Sequence, residues 1–331
     1  MADLEQQRVR RLLEAALVRR TGLGALEATR LFDGAGDGIT GLSIDKLGVT
    51  AVVRIHEGTP ADFPPVLSAM QESLPRLSGC TGAVLWRHGG DAVDTTRDGA
   101  KQFFGVVPEE YTMMEHGLAY LIRPYATPSA GFFIDMREVR AQLLQTSQGK
   151  RVLNTFCFTG SLGIAAWCGG AAEVVQVDIS KSILSWARKN VELQGSAGSG
   201  AIRYIPEDTK TFLEREVRRV ERGKERYDTI IIDPPVFGSS KGVRFIQQDD
   251  LEEVVLLAVR LLQGSGELYL TSNFSGATPE TLLAVAIRVL RGMGRDIATS
   301  RVLTPPPIDF PTQQAASRAM RGVSIRLLAQ P

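Results

Sequence analysis

From Lys150 onward the chain alternates short apolar runs with helix-like stretches, and this alternation constrains the fold more than any other feature. "RVLNTFC" (151–157), "EVVQVDI" (173–179), "AIRYIPE" (201–207), "YDTIIID" (227–233) and "GELYLTSN" (266–273) read as strands. Between them lie "SLGIAAWCGG", "KSILSWARKNVELQG", the charged "DTKTFLEREVRRVERGKER", "LEEVVLLAVRLLQG" and "ETLLAVAIRVLRGMG", each with helical patterning. Strands buried on both faces show near-continuous apolar runs, and helices between them imply parallel crossovers. The last two runs, "DIATSRVL" and "GVSIRLLA", are separated only by "TPPPIDFPTQQAASRAMR". They predict a closing hairpin-like pair with one strand antiparallel. The expectation is a doubly wound α/β fold: a mostly parallel, seven-stranded sheet with helices on both faces.

Upstream, "MADLEQQRVRRLLEAALVRRTG" reads as an amphipathic helix within residues 1–25, without the apolar centre of a signal peptide. "GDGITGLSIDKLG" is turn-rich, "VTAVVRIHEG" strand-like, and "PADFPPVLSAMQESL" a helix opening near prolines. Residues 26–125 are expected to form a small α+β domain and 126–331 the α/β domain. At 331 residues, 44% hydrophobic and 23% charged, the chain is ordinary globular material for one large or two medium domains. No apolar run approaches the ~20 residues of a membrane span. Cys80, Cys157 and Cys168 have no CxxC spacing, which argues against a disulfide framework or a metal site and makes the cytoplasm the expected location. A net charge of +1 neither requires nor excludes a nucleic acid, so any basic footprint must be local. "EREVRRVERGKER" alternates in sign and suits a solvated helix face.

Open α/β sheets bind ligands beyond the carboxyl ends of their strands, where strand order reverses. "NTFCFTGSLG" (154–163) follows the first strand there. Gly160 and Gly163 let a backbone approach a ligand closely, and the helix that follows offers free N–H groups to an anion. The spacing is neither GxGxxG nor a P-loop, and such a turn also serves as a tight connection. Asp178 ends the second strand, where a carboxylate can accept both ribose hydroxyls; helix capping suits Ser180 better. Asp208 follows the third strand and can accept from an adenine amino group, with capping of the next helix as the competing role. With "DPP" after the fourth strand, these residues suggest an adenosine cofactor bearing a carboxylate. S-adenosylmethionine fits that description.

"NTFCFTGSLGIAAWCGGAAEVVQVDISKSILSWARKNVELQG" and "DTIIIDPPVFGSSKG" resemble the Rossmann-like, class I S-adenosylmethionine-dependent 23S ribosomal RNA methyltransferases. That group holds the 5-methylcytidine enzyme RlmI and the 7-methylguanosine domain of RlmKL. "SAGFFIDMREVR" (129–140) is similar to its segment entering the catalytic domain, and "FDGAGDGITGLSIDKLG" to its preceding RNA-side domain, so the likeness covers about residues 28–331. It implies that Phe158, Thr159, Gly160, Ser161 and Gly163 meet the methionine part of the cofactor. Asp178 with Ile179 would meet ribose, and Asp208 with Thr209 adenine. Phe133, Asp135 and Arg137 would lie beside the cofactor, with Arg137 near its carboxylate. Met136 stands where the family often has glutamine. RlmI-type enzymes begin with a PUA RNA-binding domain, which is expected to be missing here.

The chemistry departs as well. Carbon-5 of cytosine is a poor nucleophile until a thiolate adds to the neighbouring ring carbon. The family's cytosine enzymes carry that cysteine in a "TFSCSG"-like motif after the fifth strand, whereas this chain has "LTSNFSG" with Phe274 there. Cys157 reads as a small core residue. "TSNFSG" and "LSWARKNVELQG" lean toward the 7-methylguanosine type. Guanine N7 already exposes a lone pair and needs alignment rather than covalent activation. Asp233 and the Pro234–Pro235 carbonyls are expected to hold the guanine edge, and Phe237 to stack on the base or to pack under the loop. Asn273 offers a donor and an acceptor. Lys241, in a Gly-Ser tail, suits either phosphate contact or an ordinary loop, and Arg318 and Arg321 are the expected RNA contacts. The expected partner is 23S ribosomal RNA or a large-subunit precursor, with no membrane. Methylation of an exocyclic amine such as guanine N2, and a non-catalytic assembly factor, are the alternatives.

Overall fold

A computed structural model describes residues 2–24, 26–88, 99–235, 238–240, 243–245, 247–274, 276–311 and 319–329. The chain divides into two units, Met1–Ile134 with Pro306–Ser317, and Asp135–Pro305 with Arg318–Pro331.

The first unit contains α1 (Ala2–Arg19), β1 (Ala28–Asp33), β2 (Leu42–Leu47), β3 (Thr50–His56), α2 (Pro64–Leu77), β4 (Gly82–His88) and β5 (Lys101–Gly105). A hairpin follows, β6 (Tyr111–Glu115) and β7 (Leu118–Ile122). The five-stranded sheet runs β1-β2-β3-β4-β5, with β3 and β4 parallel and the other pairs antiparallel. Val9, Leu13 and Ala16 recur at helical spacing on α1, as do Val66, Ala69, Met70 and Leu74 on α2. Both stripes pack on Phe32, Ile44, Val53 and Leu85 of the sheet. Among its buried charges, Asp45 sits between Arg30 and Arg54. Two residues of the 306–317 segment also belong to this unit. The Asp309 carbonyl accepts from Arg20 at 3.0 Å, and Phe310 lies 4.7 Å beneath the Arg30 guanidinium.

The second unit contains α3 (Arg137–Thr146), β8 (Arg151–Thr155), α4 (Ser161–Cys168), β9 (Glu173–Asp178), α5 (Lys181–Glu192), β10 (Ala201–Pro206), α6 (Thr209–Glu221) and β11 (Tyr227–Ile232). Next come a short ribbon, β12 (Gly238–Ser240) with β13 (Val243–Phe245), then α7 (Gln247–Leu261), β14 (Leu262–Ser272), α8 (Pro279–Gly292), β15 (Ile297–Leu303) and β16 (Arg321–Leu327). The seven strands are ordered β10-β9-β8-β11-β14-β16-β15. The first five are parallel, and β16 is antiparallel to both β14 and β15. The expected doubly wound sheet with one antiparallel closing strand is what the chain forms. Ile230, Ile231 and Ile232 of β11 are wholly buried, as covering both faces of a parallel sheet requires. The helices start where local chemistry allows. Ser180 caps α5 by accepting from Ile183 N, and Thr278 with Thr281 forms a capping box ahead of Pro279 in α8. The α5 helix ends at Glu192, slightly before Gly195, which takes a left-handed φ of 57°.

Strand register positions the site. Thr155 pairs with Val177 and with Ile232, Asp178 with Pro206, and Ile232 with Leu270. The carboxyl ends of β10, β9, β8, β11 and β14 are therefore level.

Candidate active site

Level strand ends bring residues far apart in sequence into one row. Across the edge stand Asp208 after β10, Asp178 at the end of β9, the 156–160 turn after β8, Asp233 after β11, and Asn273 after β14. Neighbouring strands lie about 4.8 Å apart, so Asp178 and Asp233 are separated by two strand spacings, about 10 Å. The order reverses at β8, whose neighbours are β9 and β11, and this makes a crevice at the middle of the row.

The turn is unusual in its backbone. Phe156 and Phe158 both have φ of 51°, and Gly160, the residue before α4, has φ of 83°. Among the described residues no side chain caps the α4 N-terminus, which leaves its first N–H groups available to a ligand. Asp178 tethers the turn: Oδ2 accepts from Phe158 N at 3.0 Å, and Oδ1 from Ser180 N at 2.9 Å. Burial pushes its carboxyl above the ordinary range, and these two N–H bonds oppose that rise. Each oxygen retains a lone pair for a further donor, which is what two ribose hydroxyls require. Ile179 beside it is exposed. Asp208 is the N-cap of α6, its Oδ1 accepting from Thr211 N at 3.0 Å and from the Thr211 hydroxyl at 3.1 Å. Capping, the competing role in the sequence, is thus one role it performs. It engages a single oxygen and leaves Oδ2 for another donor. Thr209 is buried in the first turn of that helix.

The other half of the row is built around Asp233. Its Oδ1 accepts from the Thr271 hydroxyl at 2.6 Å, across the β11–β14 pair. Burial lifts the carboxyl to about 7; the Thr271 bond lowers it, and the negative charge of Asp135 raises it further. Asp135 is itself buried, and its Oδ2 accepts from Met320 N at 2.8 Å. Pro234 is buried and Pro235 exposed. The Asn273 Oδ1 is buried with no hydrogen-bond partner among the described residues, which leaves an acceptor uncommitted at the edge.

Several anticipated residues have other or further partners. Gly160 and Gly163, expected where a ligand approaches the backbone closely, are also confined from within the protein. A Cβ on Gly160 would fall 2.6 Å from Gln176 Nε2, and one on Gly163 2.5 Å from Gln176 Oε1. Arg321, expected at RNA, is 8% exposed and donates to the Ala277 carbonyl at 3.2 Å, so it braces the loop after β14. Arg137 is 3% exposed, with its Nε 3.8 Å from Glu138. Phe133 belongs to the first unit and is 38% exposed. Thr159 and Gly163 are buried, Phe158 and Ser161 partly so. Phe237, Lys241 and Arg318 lie outside the described residues. Sequence reasoning missed Asn154, Gln176, Asn190 and Thr271. The first three were detectable as amides inside otherwise apolar patterns, "EVVQVD" above all, since a buried amide needs a partner.

The thiols are informative too. Burial raises all three: Cys80 above its usual value, Cys157 well above it with Asp178 adding to the rise, and Cys168 to about 11. No cysteine follows β14, where Phe274 packs against the core. Among the described residues, no group of three or more His, Cys, Asp or Glu side chains forms a metal site. No described helix is long and apolar enough to cross a membrane.

Comparison with known proteins agrees with this fold. The ribosomal RNA large subunit methyltransferase I of Aeromonas hydrophila is 33% identical over 273 residues, which is 80% of this chain. The chain spans 65% of that relative's length. Among solved structures, a SAM-dependent methyltransferase from Streptococcus mutans superposes with a TM-score of 0.80 at 21% identity, covering 97% of this chain and 81% of that one. Another methyltransferase, complexed with SAH, gives 0.80 at 22% identity with the same coverages. At such identities the likeness is one of fold. The S-adenosylmethionine-dependent methyltransferase family matches residues 30–319. That match takes in both the five-stranded sheet and the strand-end row of the second unit: the chain belongs to the S-adenosylmethionine-dependent methyltransferase family.

Proposed function

We propose that the protein methylates a base of 23S ribosomal RNA, free or in a large-subunit precursor, with guanine N7 as the acceptor. The observation that carries the choice of base is the residue that follows β14. Cytosine carbon-5 chemistry needs a thiolate in the pocket, yet Phe274 stands there, packed against the core, and burial pushes the thiols of Cys80, Cys157 and Cys168 up, away from the thiolate form. Guanine N7 needs no such nucleophile, only alignment. The large-subunit RNA substrate is supported by the name of the Aeromonas hydrophila relative.

S-adenosylmethionine, when bound, supplies an electrophilic methyl group. Asp178 would hold its ribose, Asp208 Oδ2 its adenine amino group, and the N–H groups opening α4, from Ser161 on, its carboxylate. Asp233, the Pro234 carbonyl and Asn273 would receive the donor edge of the base. Phe237 would stack on that base, and Lys241 would meet phosphate.

Methylation of an exocyclic amine, such as guanine N2, is the second reading. It is favoured by one observation: an Asp233 carboxyl lifted to about 7 can take the proton an amine must lose. N7 methylation releases no proton. Mass mapping of 23S RNA from a deletion strain tests both readings. One guanosine losing a methyl supports RNA guanine methylation, and nucleoside analysis of that position separates N7 from N2. An unchanged map refutes both. Asp233→Ala is expected to abolish methyl transfer while leaving cofactor affinity mostly intact.

A further inference from the structure

The turn between β8 and α4 is held from beneath by side chains that take no part in the row of acids. Gln176 of β9 is wholly buried, and Asn190 of α5 is 1% exposed. Gln176 Nε2 donates to the Gly160 carbonyl at 3.2 Å, while its Oε1 accepts from Asn154 Nδ2 at 2.8 Å. Asn190 Nδ2 donates to the Thr159 carbonyl at 3.0 Å. Two successive carbonyls of the turn thereby meet buried amides, and the Gly160 carbonyl accepts as well from Ile164 N at 2.9 Å, the first backbone bond of α4. The glycines fit the same arrangement, because a Cβ at Gly160 or Gly163 would strike the Gln176 amide.

The backbone around them resists this shape. Left-handed conformation at a residue with a Cβ costs about 1–2 kcal/mol, and both Phe156 and Phe158 adopt it. Freed from the amides, the turn would relax: the Thr159 carbonyl could swing toward the α4 N-terminus, and the Gly160 carbonyl, left with the bond from Ile164 N alone, would lose its fixed orientation. An outward carbonyl there would repel any anion that the uncapped N–H groups attract.

We propose that Gln176 and Asn190 are positioning residues for the cofactor: by binding the Gly160 and Thr159 carbonyls inward, they leave the α4 N–H groups to receive the carboxylate of S-adenosylmethionine. This rests on reading the turn as the cofactor site. Gln176 matters as a donor, not as filler, and that separates positioning from packing.

The test is calorimetric binding of S-adenosylhomocysteine to wild type, Gln176→Glu, Gln176→Met and Asn190→Asp, each checked for folding by circular dichroism. Gln176→Glu keeps the acceptor for Asn154 but, when ionised, cannot donate to Gly160. Its dissociation constant is expected to rise about tenfold or more near pH 8. Toward about pH 5.5 the buried introduced carboxyl takes a proton and donates again, so its ratio to wild type falls toward one. Gln176→Met is expected to stay weak at every pH. Should the Gln176 variants fail to fold, Asn190→Asp carries the same pH test at the Thr159 carbonyl. Wild-type affinity in the folded variants overturns the inference, and so does an equal, pH-independent loss in Gln176→Glu and Gln176→Met, which would mark packing alone. Absence of binding by the wild type would overturn the cofactor reading itself and this inference with it.

Discussion

Asp233 is the residue whose chemistry depends most on its surroundings. A carboxyl near 7 is half ionised at neutral pH, and the Thr271 hydroxyl, 2.6 Å away, favours the ionised form. If the ionised form accepts from the base, methyl transfer should rise with pH toward a plateau with an apparent pKa of about 7. Removing the hydroxyl with Thr271→Val should move that rise to higher pH, while the plateau rate changes less. A pH–rate profile that does not shift would deny Thr271 this role. Residues of this kind were only half legible in the sequence. Asp178 and Asp233 stand out as acids that end apolar strands. Thr271 does not, because a threonine in "LYLTSN" looks like any β-branched strand residue until β14 is laid beside β11. The left-handed Phe156 and Phe158 were equally hidden, since nothing local marks a bulky residue for positive φ.

At the scale of elements, two helix starts carry double duties that substitution can separate. Asparagine caps a helix about as well as aspartate. Asp208→Asn should therefore leave the urea midpoint nearly unchanged. It should still weaken S-adenosylhomocysteine binding, because an amide that caps through its oxygen offers adenine a donor instead of an acceptor. Equal binding by calorimetry would restrict Asp208 to capping. For α4, Gly163→Ala puts a methyl 2.5 Å from Gln176 Oε1 and should cost about 1–3 kcal/mol in urea denaturation. In a Gln176→Ala background the same change should cost clearly less, since the clashing amide is gone; additive losses would refute that contact. The elements themselves were readable, because period and caps are local signals: Ser180 announced α5, and the apolar period of "ETLLAVAIRVLRGMG" announced α8. Why α4 needs glycine was not readable. Its collision partner lies on β9, beyond the reach of any local pattern.

For the whole molecule, the buried acids pull stability in opposite directions with pH. Burial raises Asp45, but Arg30 and Arg54 outweigh it, so its carboxyl is lower in the folded state than in the unfolded chain. The stability it contributes is present above its ordinary value of 3.8 and is lost as pH falls through the folded value. Asp45→Asn should lower the neutral-pH urea midpoint, by the equivalent of about 3–5 kcal/mol for breaking a buried pair. Asp233 works the other way. Raised to about 7, it stabilises the fold below 3.8, and that contribution drains away as pH climbs toward 7. Asp233→Asn should thus be more stable than wild type near neutral pH, and the gap should close toward pH 4; a constant gap in urea midpoints would contradict the linkage.

The position of β16 has a consequence during synthesis. β15 leaves the ribosome before β16, yet β16 is the strand it pairs with, and β14 likewise waits for that neighbour. Until β16 arrives, a nascent chain carries two unsatisfied strand borders whose only remedy has not yet been translated. Chaperone demand, and vulnerability to premature termination, should therefore concentrate in the interval between the coding of Leu303 and that of Leu327.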